Sequence, residues 1–348
     1  MAQPVPQTIV APLTPAAVFL TLTVAPGREA EARLGLAEVS GLVRSVGFRA
    51  QEGGLTCVTG IGAEFWDRAF ASARPSGLHP FIALDGGTHR APSTGGDLFF
   101  HIRAVSMDIC FELAHRLGLA FMGIARIIDE VHGFRYWDTR DLLGFVDGTE
   151  NPAGPLAEEV AITGPDSDFP ASSYLIVQKY THDMDGWDRL SVEQQENAMG
   201  RTKLSDIEYP DDAKPANAHI TLNVVEDAEG NERQILRDNM PFGNVAEGVY
   251  GTFFIGYSAD VTTTETMLER MFIGDPPGNT DRILDFSTAR TGSLFFVPSQ
   301  DALDDPDLLD AAVDRPRTTT PTDPSLGVGG LRGTPQLGAI PNTGRTLK

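Results

Sequence analysis

Basic residues are scarce in this chain. Its 348 residues include 27 lysines and arginines against 48 aspartates and glutamates, which gives a formal net charge of −21 at pH 7. Proteins that bind nucleic acid need clustered lysine and arginine to neutralise phosphates, and anionic membrane surfaces attract polybasic segments. The charge balance therefore argues against both kinds of partner.

The sequence also has few cysteines and lacks a long apolar segment. Its two cysteines, Cys57 and Cys110, each lie in a mostly apolar run, and two such residues form neither a disulfide framework nor a metal-binding spacing. We therefore expect two buried free thiols. No apolar run approaches the ~18 residues of a membrane-spanning helix, and no basic residue precedes Arg28, unlike in a secretory signal. These features predict a cytoplasmic protein.

Strand and helix patterns alternate along the first part of the chain. Short runs rich in β-branched and aromatic residues indicate strands, and apolar residues at helical spacing indicate helices. The predicted segments are a strand at 17–24, a helix at 28–46, strands at 55–61 and 98–105, a helix from 107 to about 117, and a strand, turn and strand within 123–136. The order strand, helix, strand, strand, helix, strand is that of a ferredoxin-like unit.

The second part of the chain repeats this theme more loosely. The predicted segments are a strand at 173–180, a helix at 191–199 capped by Ser191, an extended segment at 219–225, strands at 234–236 and 250–258, a helix at 263–272 and a strand at 293–297. Together the two parts predict an α+β fold of two antiparallel sheets with flanking helices. A chain of this length is expected to form two domains.

One loop stands out for its chemistry. The segment from Gly144 to Pro152 reads Gly-Phe-Val-Asp-Gly-Thr-Glu-Asn-Pro, and it places a single acid, Asp147, between two glycines. Glycines let a backbone turn sharply and approach a ligand closely, so this loop can hold a carboxylate at a fixed point in a cavity. The alternative is an ordinary turn, in which Asp, Gly and Asn are common.

A second segment, at 235–243, carries a cation and an amide. Arg237 and Asn239 stand two residues apart in a strand-like stretch, so both side chains are expected on the same face. A single histidine, His219, lies between the loop and this segment. Taken alone, these residues have other interpretations: Arg237 as a surface arginine at a sheet edge, Asn239 as a turn residue before Met240, and His219 as a histidine that binds no metal.

Together the two segments and the histidine resemble the dye-decolorizing peroxidases, a family of heme enzymes, and in particular their bacterial B-type branch. The family signature Gly-x-x-Asp-Gly reads Gly144 to Gly148, and the Arg-x-Asn pair is Arg237 and Asn239. The resemblance covers roughly residues 10 to 298. It implies tandem ferredoxin-like domains, at 1–145 and 146–300, which pack around one heme b.

The resemblance also implies a role for each of these residues. His219 would be the proximal ligand of the heme iron, Asp147 the group that moves a proton on the peroxide, and Arg237 the cation beside it. Asn239 would donate a hydrogen bond to peroxide or to an ordered water. A metal-bound histidine normally gives its second N–H to an acceptor, and the family uses an acid there. Both Asp281 and Asp285 are candidates for that acid, and we favour Asp281.

The propionate groups of heme need polar anchors. Arg201 suits a carboxylate because its guanidinium donates in a fixed fork, although the same residue can simply be a solvated charge. Glu150 in the signature loop is a second candidate, but two carboxylates repel each other unless one is protonated.

The implied activity is that of a heme peroxidase. Hydrogen peroxide would be reduced through an oxyferryl intermediate, and dyes, phenols or similar organic donors would be oxidised. Two alternatives stay open: a heme-carrying or heme-handling protein without significant turnover, for which Asp147 and Arg237 have no use, and a ferredoxin-like binding module without heme. The resemblance also implies a homo-oligomer.

The end of the sequence differs in character from the rest. Residues 301–348 are rich in proline and aspartate and contain no aromatic residue, a composition that predicts a flexible tail. Residues 325–333 read Ser-Leu-Gly-Val-Gly-Gly-Leu-Arg-Gly. This stretch resembles the C-terminal peptide that loads such peroxidases into encapsulin nanocompartments, and spaced aliphatic residues on a tether suit docking into an apolar groove. The alternative is a low-complexity glycine linker.

Overall fold

The first half of the chain forms the predicted ferredoxin-like unit. The computed structural model describes residues 3–310. The elements of this half are β1 (Ala16–Val24), α1 (Glu29–Arg49), β2 (Thr56–Gly62), α2 (Ala63–Ala69), β3 (Leu84–Asp85), β4 (Arg90–Ala91), β5 (Leu98–Ala104), α3 (Met107–Ala120) and β6 (Ala125–Phe134). Strands β2, β5, β1 and β6 are antiparallel neighbours in that order, which is the arrangement expected of such a unit.

One prediction in this half is wrong. Residues 123–136 were expected to form a strand, a turn and a second strand, whereas β6 continues without a turn through Gly133. A Cβ atom placed on Gly133 would lie only 2.5 Å from Met240 Cβ. The glycine is therefore needed where another strand approaches closely, and it does not mark a turn.

The second half repeats the topology with more interruptions. Its elements are α4 (Pro155–Ala161), β7 (Ser173–His182), α5 (Met184–Asp188), α6 (Val192–Met199), α7 (His219–Asn223), β8 (Val225–Glu226), β9 (Glu232–Arg233), β10 (Leu236–Arg237), β11 (Met240–Asn244), β12 (Val249–Ser258), α8 (Val261–Phe272), β13 (Ser287–Ala289) and β14 (Ser293–Val297). Strands β14, β7 and β12 are antiparallel neighbours, and β10 and β11 both pair with the far edge of β12. Ser191 caps α6 as predicted, because its side chain accepts a hydrogen bond from the backbone N–H of Gln194.

The sheets of the two halves are joined. Strand β14 pairs with β2 through Phe295 with Gly62 and Phe296 with Ile61, which produces one sheet of ten strands instead of two separate sheets. The predicted α+β class and ferredoxin-like topology are confirmed. The sheet curls so that β6 comes close to β11, as the approach of Gly133 to Met240 shows.

Both faces of the central strands are buried. The outer face packs against helices that include α1, α2, α3 and α8, and the inner face encloses a second apolar cluster that contains Phe19, Phe99, Phe253 and Phe295. All seven residues of β5 and all five of β14 are buried. This burial explains why apolar residues follow one another on these strands without alternation, as in Leu98-Phe99-Phe100 of β5 and Leu294-Phe295-Phe296 of β14. Cys57 and Cys110 are both buried and free, as expected.

The described chain ends in two short helices, α9 (Gln300–Asp304) and α10 (Asp307–Asp310). The structure thus differs from the predicted flexible tail over residues 301–310. Leu303 and Leu309 are buried in the outer apolar cluster, and Arg33 of α1 forms an ion pair with Asp310 at 2.9 Å. The peptide-like segment 325–333 lies outside the described residues. Within residues 3–310, no helix is both long and apolar enough to cross a membrane.

Candidate active site

A cavity of about 310 Å³ lies in the second half of the chain, between the signature loop, α7, α8 and the sheet. Its volume falls in the usual range for small-molecule sites, which are mostly apolar with a few polar groups. Apolar residues supply much of its wall, namely Leu143, Val146, Met199, Ile220, Val224, Ile235, Phe254, Met267, Leu268, Met271 and Ile283. Six of the seven residues predicted for the site also line it, namely Asp147, Glu150, Arg201, His219, Arg237 and Asn239.

The signature loop reaches this cavity because its glycines adopt left-handed conformations. Gly144 has a φ of +94° and Gly148 a φ of +89°. At Gly144 a Cβ would also lie 2.4 Å from the side chain of Lys203. Between these turns Phe145 is buried beside Trp187, whose indole N–H donates to the carbonyl of Leu143 at 2.9 Å. The loop is thus anchored by apolar packing on one side and open to the cavity on the other.

Asp147 is held at the cavity wall by its backbone and by one amide. Its N–H donates to the carbonyl of Thr139 at 2.9 Å. Its side-chain Oδ1 accepts a hydrogen bond from Asn239 Nδ2 at 3.3 Å. Among residues 3–310, no further side-chain hydrogen bond to this carboxylate is found, so Oδ2 is available to a ligand. This contact brings the two sequence motifs together.

Arg237 and Asn239 are positioned through their neighbours. Asn151 clamps the backbone of Arg237, since its amide donates to the Arg237 carbonyl at 2.7 Å and accepts from the Arg237 N–H at 2.8 Å. Asn239 Oδ1 accepts from the N–H of Ile255 at 3.1 Å. The Nε of Arg237 is buried and has no hydrogen-bond partner within the described chain. A buried guanidinium N–H without a protein partner indicates a site for a ligand or water.

His219 begins a short helix. The extended segment predicted at 219–225 is wrong at this point, because residues His219–Asn223 form α7. The β-branched residues nearby suggested a strand, but the Asn223 side chain donates back to the His219 carbonyl at 2.7 Å and α7 lies beside α8. Tertiary contacts thus override the local preference.

The acid beside His219 is Asp281. His219 Nδ1 lies 2.6 Å from Asp281 Oδ2, and the carboxylate is fully buried. Asp281 is brought there by loop contacts, in which the N–H of Arg282 donates to the carbonyl of Asn217 at 3.0 Å. An imidazole that donates its Nδ1–H to a carboxylate keeps its Nε2 lone pair for a metal. Asp285 instead contacts His89 and Arg282, each at 3.2 Å.

Arg201 and Glu150 lie together at another part of the wall. Arg201 is buried, and it forms ion pairs with Glu150 at 3.1 Å and with Asp206 at 2.9 Å. The guanidinium is therefore already shared between two carboxylates. A ligand carboxylate could replace the half-exposed Glu150 at this point, whereas Glu150 itself would repel it.

Sequence reasoning missed two residues of this site. Asn151 was visible in the signature loop, but nothing local indicated that it clamps a backbone 86 positions away. Asp141, unlike Asn151, lines the cavity itself, and its Oδ1 accepts from the N–H of Phe145 at 2.9 Å. Burial, helped by the nearby Asp147 carboxylate, raises the pKa of the Asp141 carboxyl to about 7. Its spacing of six residues from Asp147 was the only available signal.

Two family models match the chain over most of its length. They are described as Dyp-type peroxidase, N-terminal, over residues 6–135, and Dyp-type peroxidase, C-terminal, over residues 138–302. A dye-decolorizing peroxidase of Brevibacterium linens is 56% identical, and the match covers 94% of this chain and 96% of the relative. Another, of Mycobacterium tuberculosis, is 55% identical, with 95% and 98% covered.

Solved structures show the same likeness. An encapsulated DyP-type peroxidase from Mycobacterium smegmatis has a TM-score of 0.85 and 58% identity, covering 87% of this chain and 99% of that one. DyPB from Rhodococcus jostii RHA1 has a TM-score of 0.84 and 52% identity, with 88% and 99% covered. A variant of the same DypB was solved in complex with heme, with a TM-score of 0.84, 52% identity, and 87% and 99% covered.

Proposed function

The chain belongs to the Dyp-type peroxidase family, and from that premise we propose that it is a heme b enzyme that reduces hydrogen peroxide and oxidises dyes, phenols or similar organic donors. The observation that carries this proposal is the lining of one cavity. It contains an imidazole supported by a buried acid, together with the carboxylate of Asp147, the guanidinium of Arg237 and the amide of Asn239.

The cavity fits a porphyrin in its chemistry. Apolar side chains line much of the wall, as the faces of a macrocycle require. His219 directs one nitrogen to Asp281 and keeps the other for iron. Among residues 3–310 no group of three or more His, Cys, Asp or Glu side chains could hold a bare metal ion, whereas heme iron needs only one such axial ligand from the protein.

In this proposal two side chains act on the peroxide. The Asp147 carboxylate accepts a proton from one peroxide oxygen and returns it to the other, and Oδ2 is the atom for this transfer because Asn239 holds Oδ1. Arg237 stabilises the negative charge that develops as the O–O bond breaks, since its guanidinium stays charged at any working pH. Heme, when bound, supplies the redox chemistry.

The remaining residues of the site hold the heme or orient the reacting side chains. Asp281 fixes the tautomer and the direction of the His219 ring, and Asn151 fixes the backbone from which Arg237 extends. We assign Arg201 to a heme propionate because its guanidinium is buried at the wall of the cavity. Glu150 is then the group that gives way, and its side chain is 45% exposed and free to turn towards solvent.

Mixing the heme-loaded protein with hydrogen peroxide in a stopped-flow spectrometer tests this function. We expect a rapid change in the Soret band and peroxide-dependent bleaching of a dye, both much faster than with free hemin at the same concentration. The variant Asp147→Asn keeps the shape of the side chain but cannot take up a proton, so it should bind heme and react slowly. A heme-loaded wild-type protein that is no faster than free hemin would favour a heme carrier instead.

We also propose packaging into an encapsulin shell through residues 325–333. The support is the resemblance of this segment to a cargo-loading peptide and the 58% identity to an encapsulated peroxidase. Co-production with an encapsulin shell protein, followed by gel filtration, should place the full chain in the shell fraction and a chain lacking residues 325–333 outside it. Equal loading of both chains would contradict the proposal. A cytoplasmic location and a homo-oligomer remain proposals, the latter open to sedimentation analysis.

A further inference from the structure

A buried polar cluster lies behind the segment that carries Arg237 and Asn239. Arg103 of β5 donates to Asp238 Oδ2 at 2.9 Å. His101, two residues earlier on β5, bonds the Tyr257 hydroxyl at 2.8 Å and lies 3.8 Å from the same carboxylate oxygen. At most 4% of each of these four side chains is exposed. None of these side chains has a role in the reaction described above.

The cluster contains one ion pair and two neutral groups. Desolvation lowers the pKa of His101 well below its usual value, so its imidazole is neutral. Burial raises the pKa of the Asp238 carboxyl, and the Arg103 guanidinium opposes that rise. Arg103 also donates to the carbonyl of Thr8 in the N-terminal arm. Arg103 therefore links Asp238 to two segments of the first half of the chain.

Asp238 stands between the two residues assigned to the peroxide. Successive side chains of an extended segment point to opposite faces, so Arg237 and Asn239 reach the heme cavity while Asp238 points into the sheet interior. Strand pairing is interrupted here, because β10 ends at Arg237 and β11 begins at Met240. The backbone N–H of Asp238 makes only one long hydrogen bond, of 3.2 Å, to Ile255.

The space behind this segment is partly open. A second cavity, of about 390 Å³, is lined by Arg103, Asp238 and Tyr257, and it also borders Arg237. The side chain of Asp238 is held at this cavity by its hydrogen bond and ion pair with Arg103. The Nε of Arg103 and the Oδ1 of Asp238 are buried without partners within the described chain. The Asp238 carboxylate therefore has one side-chain hydrogen bond there, from Arg103, whereas Arg103 also donates to the Thr8 carbonyl.

We propose that Asp238, held by Arg103, is a positioning residue that fixes Arg237 and Asn239 for reaction with peroxide. This inference rests on the proposed function. Removal of one partner from a buried ion pair leaves the other charge unpaired, which is strongly unfavourable. The segment 235–241 would relax to hydrate that charge, and Arg237 would move from its place in the cavity. A misplacement of about 1 Å at a reacting centre can cost roughly 100-fold in rate.

Three variants test this role. Asp238→Asn removes the carboxylate charge. Arg103→Lys keeps the positive charge but lacks the planar, forked set of N–H donors of the guanidinium. The double variant Arg103→Gln with Asp238→Asn removes both charges. Asp97→Asn is the matched control, since Asp97 is also a buried acid, paired with Arg68 at 3.0 Å, and does not line the heme cavity. For each heme-loaded variant we would measure kcat/KM for peroxide, KM for the organic donor and the Soret spectrum. Hydrogen–deuterium exchange would be measured on each variant with and without heme.

Asp238→Asn should lower peroxide kcat/KM by roughly 10- to 100-fold with an unchanged donor KM and Soret band. Exchange should speed up in residues 235–241 but not in other strands. The double variant should recover much of the lost rate because it leaves no unpaired charge. If Asp238→Asn does not fold, Arg103→Lys tests the proposal in its place. We expect it to show a smaller loss of peroxide kcat/KM, again with an unchanged donor KM and Soret band.

Two outcomes would overturn the inference. One is a lower melting temperature in Asp238→Asn with peroxide kcat/KM and exchange of residues 235–241 within twofold of the wild type, since that pattern describes a purely structural pair. The other is an equal loss of rate in Asp97→Asn. A wild-type protein without peroxide turnover would refute the proposed function instead, and the exchange measurements on residues 235–241 would still decide whether Asp238 orders the segment.

Discussion

Replacement of Arg237 by alanine removes a positive charge from the wall of the cavity. The guanidinium Nε is buried without a partner within residues 3–310, while the backbone at this position is held separately by Asn151 at 2.7 and 2.8 Å. The side chain can therefore be deleted without loss of the clamp that keeps the segment in place. We expect Arg237→Ala to fold and to bind heme.

The loss of rate follows from the role assigned to this side chain. A fixed donor that stabilises charge in a transition state contributes about 2.7–4 kcal/mol, or roughly a 100- to 1,000-fold change in rate. Asn239 remains in Arg237→Ala and donates to Asp147, so proton transfer is still possible. We therefore expect a drop of that size in the rate of reaction with peroxide, and a smaller drop in Arg237→Lys, which keeps the charge but not the fork.

Stopped-flow measurement of the Soret change against peroxide concentration gives this rate directly. Arg290→Ala is the matched control, because Arg290 is an exposed arginine that does not line the cavity. If Arg237→Ala, with heme bound, reacts with peroxide within threefold of the wild type, Arg237 does not stabilise the transition state. A comparable loss in Arg290→Ala would point to net charge as the cause.

Further predictions concern four other residues of the site. His219→Ala should weaken heme retention or alter the Soret band, and an unchanged hemin titration would refute ligation. Asp281→Asn should keep heme but shift its reduction potential upwards, measured by redox titration, since the imidazole loses an anionic acceptor. Asn151→Ala should slow the peroxide reaction by roughly tenfold or more through the loosened backbone of Arg237, with the donor KM unchanged in steady-state assays. Burial raises the pKa of Asp141 to about 7, above its value in the unfolded chain, so the contribution of this group to stability falls as the pH rises from about 4 to 7. Asp141→Asn should therefore raise the melting temperature, relative to the wild type, more at pH 8 than at pH 5, and an equal difference at both would contradict the assigned pKa.

The regular elements of the fold were largely visible in the sequence. The strands at 98–104 and 249–258 carry dense apolar and aromatic runs, and such runs are typical of strands buried on both faces. The short helix at His219 was not visible, because its form depends on a side chain folding back onto the helix and on contacts with α8. The turn predicted at Gly133 was wrong for a similar reason. Glycine is needed at this position because Met240, far along the chain, approaches it closely.

The candidate site was also predictable from the sequence only in part. Asp147, Arg237, Asn239 and His219 stand in recognisable motifs, and the structure brings all four to one cavity. The choice between Asp281 and Asp285 could not be made from spacing, because it depends on how the loop carrying Asp281 contacts the loop before His219.

The supports of the site were hidden altogether. Asn151 and Arg103 form hydrogen bonds with residues that lie 86 and 135 positions away in the sequence. No local pattern indicates contacts over such sequence separations. No motif in the sequence assigns a role to Asp238. Local motifs in a sequence can indicate the residues that a reaction needs. They do not indicate the side chains that hold those residues in place when these come from distant parts of the chain.

Locating iron in crystals of the heme-loaded protein, by anomalous diffraction at the iron absorption edge, tests the central claim most directly. We expect one strong peak in the cavity of the second half, within bonding distance of His219 Nε2, with Asp147 and Arg237 on the opposite side of the porphyrin. An iron peak bound by another residue, or outside this cavity, would contradict it.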